Sequence, residues 1–152
     1  MGCIKSTKVC FETGKSYTFN EVYLKCRNLA GSLRGKFSLE KGDTVAVILP
    51  NVVDFPVAFL GAIQAGLVVT TVNPLHNAGS TFRQKLLLQQ LSCFVSDEMA
   101  RQLSDSGAKI IFTVRDILTV VNTAMSILGE KIPTVIAEAQ PVITYTKFIL
   151  II

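Results

Sequence analysis

The stretch Gly42–Pro74, GDTVAVILPNVVDFPVAFLGAIQAGLVVTTVNP, decides the fold. Thr44 to Leu49 is a continuous apolar run rich in β-branched residues, the mark of a strand covered on both faces. Asp54 and Pro56 suit a helix start, and Gly66 suits its stop. Between them Phe55, Ala58, Phe59, Ala62 and Ile63 recur at helical spacing and are expected to face inward. Leu67 to Val72 reads as a second buried strand, ended by Asn73-Pro74. Strand, helix and strand within so few residues make a βαβ unit, which requires a parallel sheet.

The same rhythm extends in both directions. Upstream, Tyr17-Thr18-Phe19 is a short strand signal. Thr18 and Glu21 then form a capping-box pattern. Val22, Cys26, Leu29, Ala30 and Leu33 predict a helix from about Asn20 to Arg34. Lys41-Gly42-Asp43 is a turn. Downstream, Asp97 is expected to cap a short helix through Met99, Ala100 and Leu103, closed by Gly107. Lys109 to Val114 reads as a strand. Asp116 opens a helix with Ile117, Val120, Val121, Ala124, Ile127 and Leu128 on one face, and Gly129 closes it. Pro133 to Ala137 is a last short strand. The expected fold is α/β, a parallel sheet of about five strands built from alternating βα units. No internal repeat and no linker interrupts it.

Two segments do not fit. Gly79 to Ser96 lies where a connection should be short. Val142 to Ile152, VITYTKFILII, is a plausible strand but also an aggregation hazard. The expected organisation is a tail over 1–12, the domain over 13–141 with an insertion at 79–96, and an aberrant tail over 142–152. Both odd segments can be encoded by splice-site-like codons, so translated intron is one reading. A splice isoform with an inserted helix and a new terminus is the other.

Composition limits the function classes. The chain has 152 residues, 49% of them hydrophobic, and a mean hydropathy of +0.45. That argues for a packed domain and against disorder. Net charge is +4, from 15 basic and 11 acidic residues. The basic residues are dispersed, so no nucleic-acid partner is expected. Cys3, Cys10, Cys26 and Cys93 show no CxxC spacing, and His76 is the lone histidine. A zinc site needs three or four convergent ligands, so no metal is expected. Reduced thiols and a cytoplasmic location are the plain reading. Phe55 to Val72 could pass for a membrane span, but Gln64 and Gly66 interrupt it. No secretory signal opens the chain.

The ordered motifs resemble the adenylate-forming acyl-CoA synthetases, which include 4-coumarate:CoA ligases and insect luciferases. The resemblance rests on Gly14-Lys15-Ser16-Tyr17-Thr18-Phe19, Lys41-Gly42-Asp43-Thr44-Val45-Ala46, Leu49-Pro50-Asn51, Phe59-Leu60-Gly61-Ala62, Ala65-Gly66 and Val72-Asn73-Pro74. Omitting Gly79–Ser96 joins NPLHNA to DEMARQLSDSGAKIIFT, which is similar to the family's next helix and strand. The resemblance implies the first subdomain of the ligase N-terminal domain, truncated. It implies a parent enzyme that adenylates a carboxylic acid with ATP and Mg, then passes the acyl group to CoA. The family's phosphate loop, a Ser/Thr/Gly-rich stretch ending in Lys, has no counterpart here. Neither has its C-terminal domain. No catalytic, cofactor-binding or metal residue is therefore carried onto this chain, and it is expected to be inactive alone, with marginal stability and no small-molecule site.

Gly31-Ser32-Leu33-Arg34-Gly35-Lys36-Phe37-Ser38 mimics a phosphate loop. Its glycine spacing is one residue short for the Walker pattern, and it follows a helix, whose C-terminus presents carbonyls. Met1-Gly2-Cys3-Ile4-Lys5-Ser6 fits the myristoylation pattern at Gly2, with Cys3 placed for palmitoylation. Dual acylation would anchor the chain to a membrane; a chance match is the alternative. Some relatives end in a Ser-Lys-Leu peroxisomal address, whereas this chain ends Leu-Ile-Ile. Three functions remain in view. They are an inactive piece of a ligase, an interaction fragment that binds a full-length ligase, and a small α/β module holding a nucleotide at its strand ends.

Overall fold

A computed structural model describes residues 7–9, 16–50, 52–72, 95–137 and 148–151. The chain opens with a two-stranded antiparallel ribbon, β1 (Thr7–Val9) against β2 (Ser16–Thr18). Thr7–Val9 falls within the stretch expected to be a tail. Helix α1 (Phe19–Gly35) follows at once. The Thr18 hydroxyl accepts from the Glu21 amide, and the Glu21 carboxylate accepts from the Thr18 amide at 2.7 Å. That reciprocal pair is the predicted capping box, and Phe19 is the first helical residue rather than the last of a strand.

The main sheet has five strands in the order β4-β3-β5-β6-β7. They are β3 (Thr44–Ile48), β4 (Val68–Thr71), β5 (Ala108–Thr113), β6 (Thr134–Ala137) and β7 (Phe148–Ile151). The first four are parallel, and β7 runs antiparallel to β6. Five strands were expected, but not this set. The Tyr17 strand belongs to the separate ribbon, and the C-terminal stretch supplies the fifth.

Helices cover both faces. On one side, Val45, Val47 and Leu49 pack with α1 and α2 (Phe55–Gln64). On the other, Ala46 and Ile48 pack with α3, helical through residues 95–106, and with α4 (Leu118–Leu128). The alternation of β3 between two apolar layers explains its unbroken hydrophobic run. Gly66, Gly107 and Gly129 close α2, α3 and α4 with positive φ, as their sequence positions predict.

Several local expectations need correction. The inward face of α2 is Val57, Ala58, Gly61 and Ala62, while Ile63 is 49% exposed. The reason is Gly61: a Cβ there would lie 2.9 Å from Leu29 Cδ2 and 3.2 Å from the Cys26 carbonyl oxygen. The close approach to α1 fixes the rotation of α2 and turns Ile63 outward. In α4, Ile127 is exposed, and Met125 packs on the core instead. Asp97 does not cap α3, because residues 95 and 96 are already helical and Ser96 is buried. Asp116 sits in a 3-10 turn, Arg115–Ile117, one step before α4. The strand expected to be buried at Leu67–Val72 is the edge of the sheet among the described residues, and Val68 is half exposed. Most of Gly79–Ser96 lies outside the described residues.

Candidate functional site

In an open α/β sheet, ligands bind beyond the carboxyl ends of the strands, where the winding reverses. Here that point lies between β3 and β5, because the chain winds outward to β4 and then crosses back past β3. Ile48 pairs with Thr113 at the carboxyl end of this seam. Beyond it lie Leu49 and Pro50 on one side and Val114 and Arg115 on the other. The Pro50 carbonyl is taken by the Val52 amide at 2.7 Å. Thr113 is fully buried, and its hydroxyl donates to the Val114 carbonyl at 3.5 Å. Arg115 is exposed. The described part of the seam therefore offers carbonyls, a committed hydroxyl and a guanidinium. It brings together no nucleophile and base. No group of three or more His, Cys, Asp and Glu that could hold a metal occurs among the described residues.

Gly2, Cys3, Cys10, His76 and Cys93 lie outside the described residues. Cys26 is buried in the seam between α1 and α2, its Sγ 3.8 Å from the Val57 carbonyl. Burial pushes its thiol up, which makes it a poor nucleophile. The phosphate-loop mimic Gly31–Ser38 forms the last turns of α1 and the bend after it. The Lys36 and Phe37 amides both donate to the Ser32 carbonyl, so they are not free to cradle an anion. A Cβ at Gly31 or Gly35 would meet nothing within 4 Å. Neither glycine is required for a close backbone approach.

Sequence reasoning missed one buried polar cluster. Asp54 is only 2% exposed, and it makes no side-chain cap to α2. Its Oδ1 instead accepts from the Tyr17 hydroxyl at 2.8 Å. The Lys25 ammonium lies 4.7 Å from the centre of the Tyr17 ring, a cation–π geometry. The cluster joins three elements, β2, α1 and α2. The only sequence signal was an acid two residues before a proline, which reads as an ordinary cap.

Residues 4–148 match the model of the AMP-binding enzyme family. The chain belongs to that family. It is 37% identical over 111 residues to 4-coumarate–CoA ligase 3 of Arabidopsis thaliana, which covers 71% of this chain and 16% of that protein. It is 33% identical over 101 residues to a long-chain-fatty-acid–CoA ligase of Haemophilus influenzae, covering 66% of this chain and 15% of that protein. Its fold matches the luciferase-like enzyme of the Zophobas morio mealworm with a TM-score of 0.68 at 15% identity, over 87% of this chain and 27% of that one. A benzoate CoA ligase from Burkholderia xenovorans gives 0.62 at 23% identity, over 80% and 21%. These AMP-binding relatives share the α/β architecture with its parallel strands. The chain spans about a sixth of the length of the curated relatives it matches.

Proposed function

We propose that this chain is the first, scaffold-forming part of an acyl-CoA synthetase, and that by itself it does not catalyse adenylation. The parent reaction is ATP- and Mg-dependent activation of a carboxylic acid, followed by transfer to CoA. The family match over residues 4–148 supports that reading. The polar groups at the switch point and in the bend after α1 carry the proposal of inactivity. Stabilising a transferring phosphoryl or adenylyl group takes preorganised donors, and Thr113 and the Lys36 and Phe37 amides are already engaged. The test is ATP–pyrophosphate exchange with the purified 152-residue chain and a panel of aliphatic and aromatic acids. Background exchange is expected throughout; exchange that depends on the acid and saturates with ATP overturns the proposal.

A second reading is a fragment that docks on a full-length ligase. The observation favouring it is the apolar surface left on α2 and the sheet edge, where Leu60, Ile63 and Val68 are about half exposed. Exposed apolar surface, where contiguous, can mark a site of association. Co-purification with a full-length ligase, lost on Ile63→Lys, is the expected outcome. Membrane attachment through acylation at Gly2 and Cys3 is a separate proposal. Replacing Gly2 with Ala should release the chain from the membrane fraction, and unchanged partitioning removes the proposal. No helix among the described residues is long and apolar enough to cross a membrane.

A further inference from the structure

Helix α1 spends its buried face on Cys26, Leu29, Ala30 and Leu33. Its two exposed aromatic residues stand toward its amino end: Phe19, 68% exposed, is in line with the buried face but about two turns before Cys26, and Tyr23, 57% exposed, stands at that face's border, with buried Ala30 between the two in angle. At about 100° per residue, Phe19, Tyr23, Arg27 and Arg34 fall within one quarter of the helix circumference. Arg27 and Arg34 are exposed as well. Leu24, 47% exposed, borders the stripe, and so does Asn20. No acidic residue of α1 shares this flank. Glu21 is on the opposite side and is held by Thr18. Leaving the Phe19 ring in water forgoes apolar burial that the described fold does not use.

Aromatic rings beside guanidinium groups, with no carboxylate among them, match the chemistry of an anionic lipid headgroup layer. Rings of this kind settle at headgroup depth. Arginine binds phosphate through a planar fork of donors, and basic residues near an anionic leaflet are attracted to it individually. The ribbon adds continuity. Thr7 pairs with Thr18, so the chain reaching β1 arrives beside Phe19, at the same end of α1. We infer that the Phe19–Tyr23–Arg27–Arg34 flank of α1 is a peripheral docking surface for anionic membrane. The inference deepens the membrane proposal above but does not depend on acylation at Gly2.

The chain contains no tryptophan, so Phe19→Trp makes a single fluorescent reporter on the stripe. Leu60→Trp places the control on the exposed side of α2. Both are made as the full chain without acylation. They are mixed with phosphatidylcholine vesicles, with or without about 30% phosphatidylserine. The expected result is a blue shift for Phe19→Trp on the anionic vesicles alone, with no shift for Leu60→Trp. Adding R27E/R34E should weaken partitioning at least about 30-fold. The inference is overturned by no shift at Phe19→Trp or by equal shifts at both reporters. An equal shift on neutral vesicles removes the anionic surface. A shift without vesicles that grows with protein concentration assigns the stripe to a second copy instead. If Phe19→Trp does not fold, co-sedimentation of the unaltered chain against R27E/R34E decides the same question. Loss of the acylation proposal, through Gly2→Ala, would leave each of these outcomes unaffected.

Discussion

The Tyr17 hydroxyl donates to Asp54 Oδ1 at 2.8 Å across 37 residues of sequence, and both side chains are buried. The bond ties the strand that feeds α1 to the residue that opens α2. It adds a strong polar tie to a helix seam whose other polar contacts include the long ones from Cys26 Sγ to the Pro56 and Val57 carbonyls. Tyr17→Phe removes this donor and keeps the ring. A hydrogen bond contributes about 0.5–1.5 kcal/mol, so Tyr17→Phe should lower the unfolding free energy by that order. A urea titration checks this. The midpoint should fall with an unchanged slope; an unchanged midpoint would show that the bond stabilises nothing.

Gly61 sets the distance between α1 and α2. Helix propensity alone favours Gly61→Ala by about 1 kcal/mol. The added Cβ, however, meets Leu29 Cδ2 at 2.9 Å and the Cys26 carbonyl oxygen at 3.2 Å. Leu29 is itself buried and has little room to yield. Overpacking of this kind costs about 1–3 kcal/mol, so the net effect should be destabilising. Gly31→Ala is the control, because its Cβ meets nothing, and it should stabilise. Thermal melts of the two variants should move in opposite directions.

How much of this was legible in advance varies with the physics involved. The strands β3, β5 and β6 were readable because a strand covered on both faces must be apolar throughout. The helix stops were readable because positive φ selects glycine. The rotation of α2 was not, because Ile63 and Val57 are equally apolar, and only the approach of Leu29 to Gly61 chooses between them. Asp54 was misread for a similar reason. Its partner Tyr17 is distant in sequence, and an acid before a helix ordinarily caps it. The open edge at β4 was also hidden, since Val68 and Val69 look the same in a central strand. The switch point between β3 and β5 follows from strand order, which periodicity does not encode.

Lys109 and Asp43 pair at 2.7 Å across the amino ends of β5 and β3. The Lys109 ammonium, and then the Glu40 amide, hold the Asp43 carboxyl below its ordinary value. The same bond raises Lys109. A depressed carboxylate contributes stability above its unfolded value near 3.9 and loses it as pH falls through the lower folded value. A raised lysine contributes below its unfolded value near 10.4 and loses it as pH rises through the higher folded value. The pair should therefore support the fold between about pH 5 and 10. Screening weakens so exposed a pair. Lys109→Ala should flatten part of the acid limb of a pH–stability profile and reduce its salt dependence. The remaining Glu40 amide, 2.8 Å from Asp43 Oδ2, should preserve the rest. A profile unchanged at low salt would mean the pair is neutral to the fold.

Cys26 offers a direct readout of the α1–α2 seam. Its thiol is 4% exposed, and burial pushes it up, so a thiol reagent reaches it only when the seam opens. A chain in which Cys3, Cys10 and Cys93 are replaced by Ser leaves Cys26 as the sole target. Local opening that costs about 3 kcal/mol slows labelling about hundredfold relative to a free thiol. Tyr17→Phe loosens the α2 entrance beside this seam, and Gly61→Ala strains the seam itself. Both should speed labelling, and Lys109→Ala, at the amino ends of the strands, should not. Equal acceleration by all three would mean that Cys26 reacts only from the globally unfolded chain. The seam would then be as stable as the whole domain, and the α1–α2 pair would not open on its own.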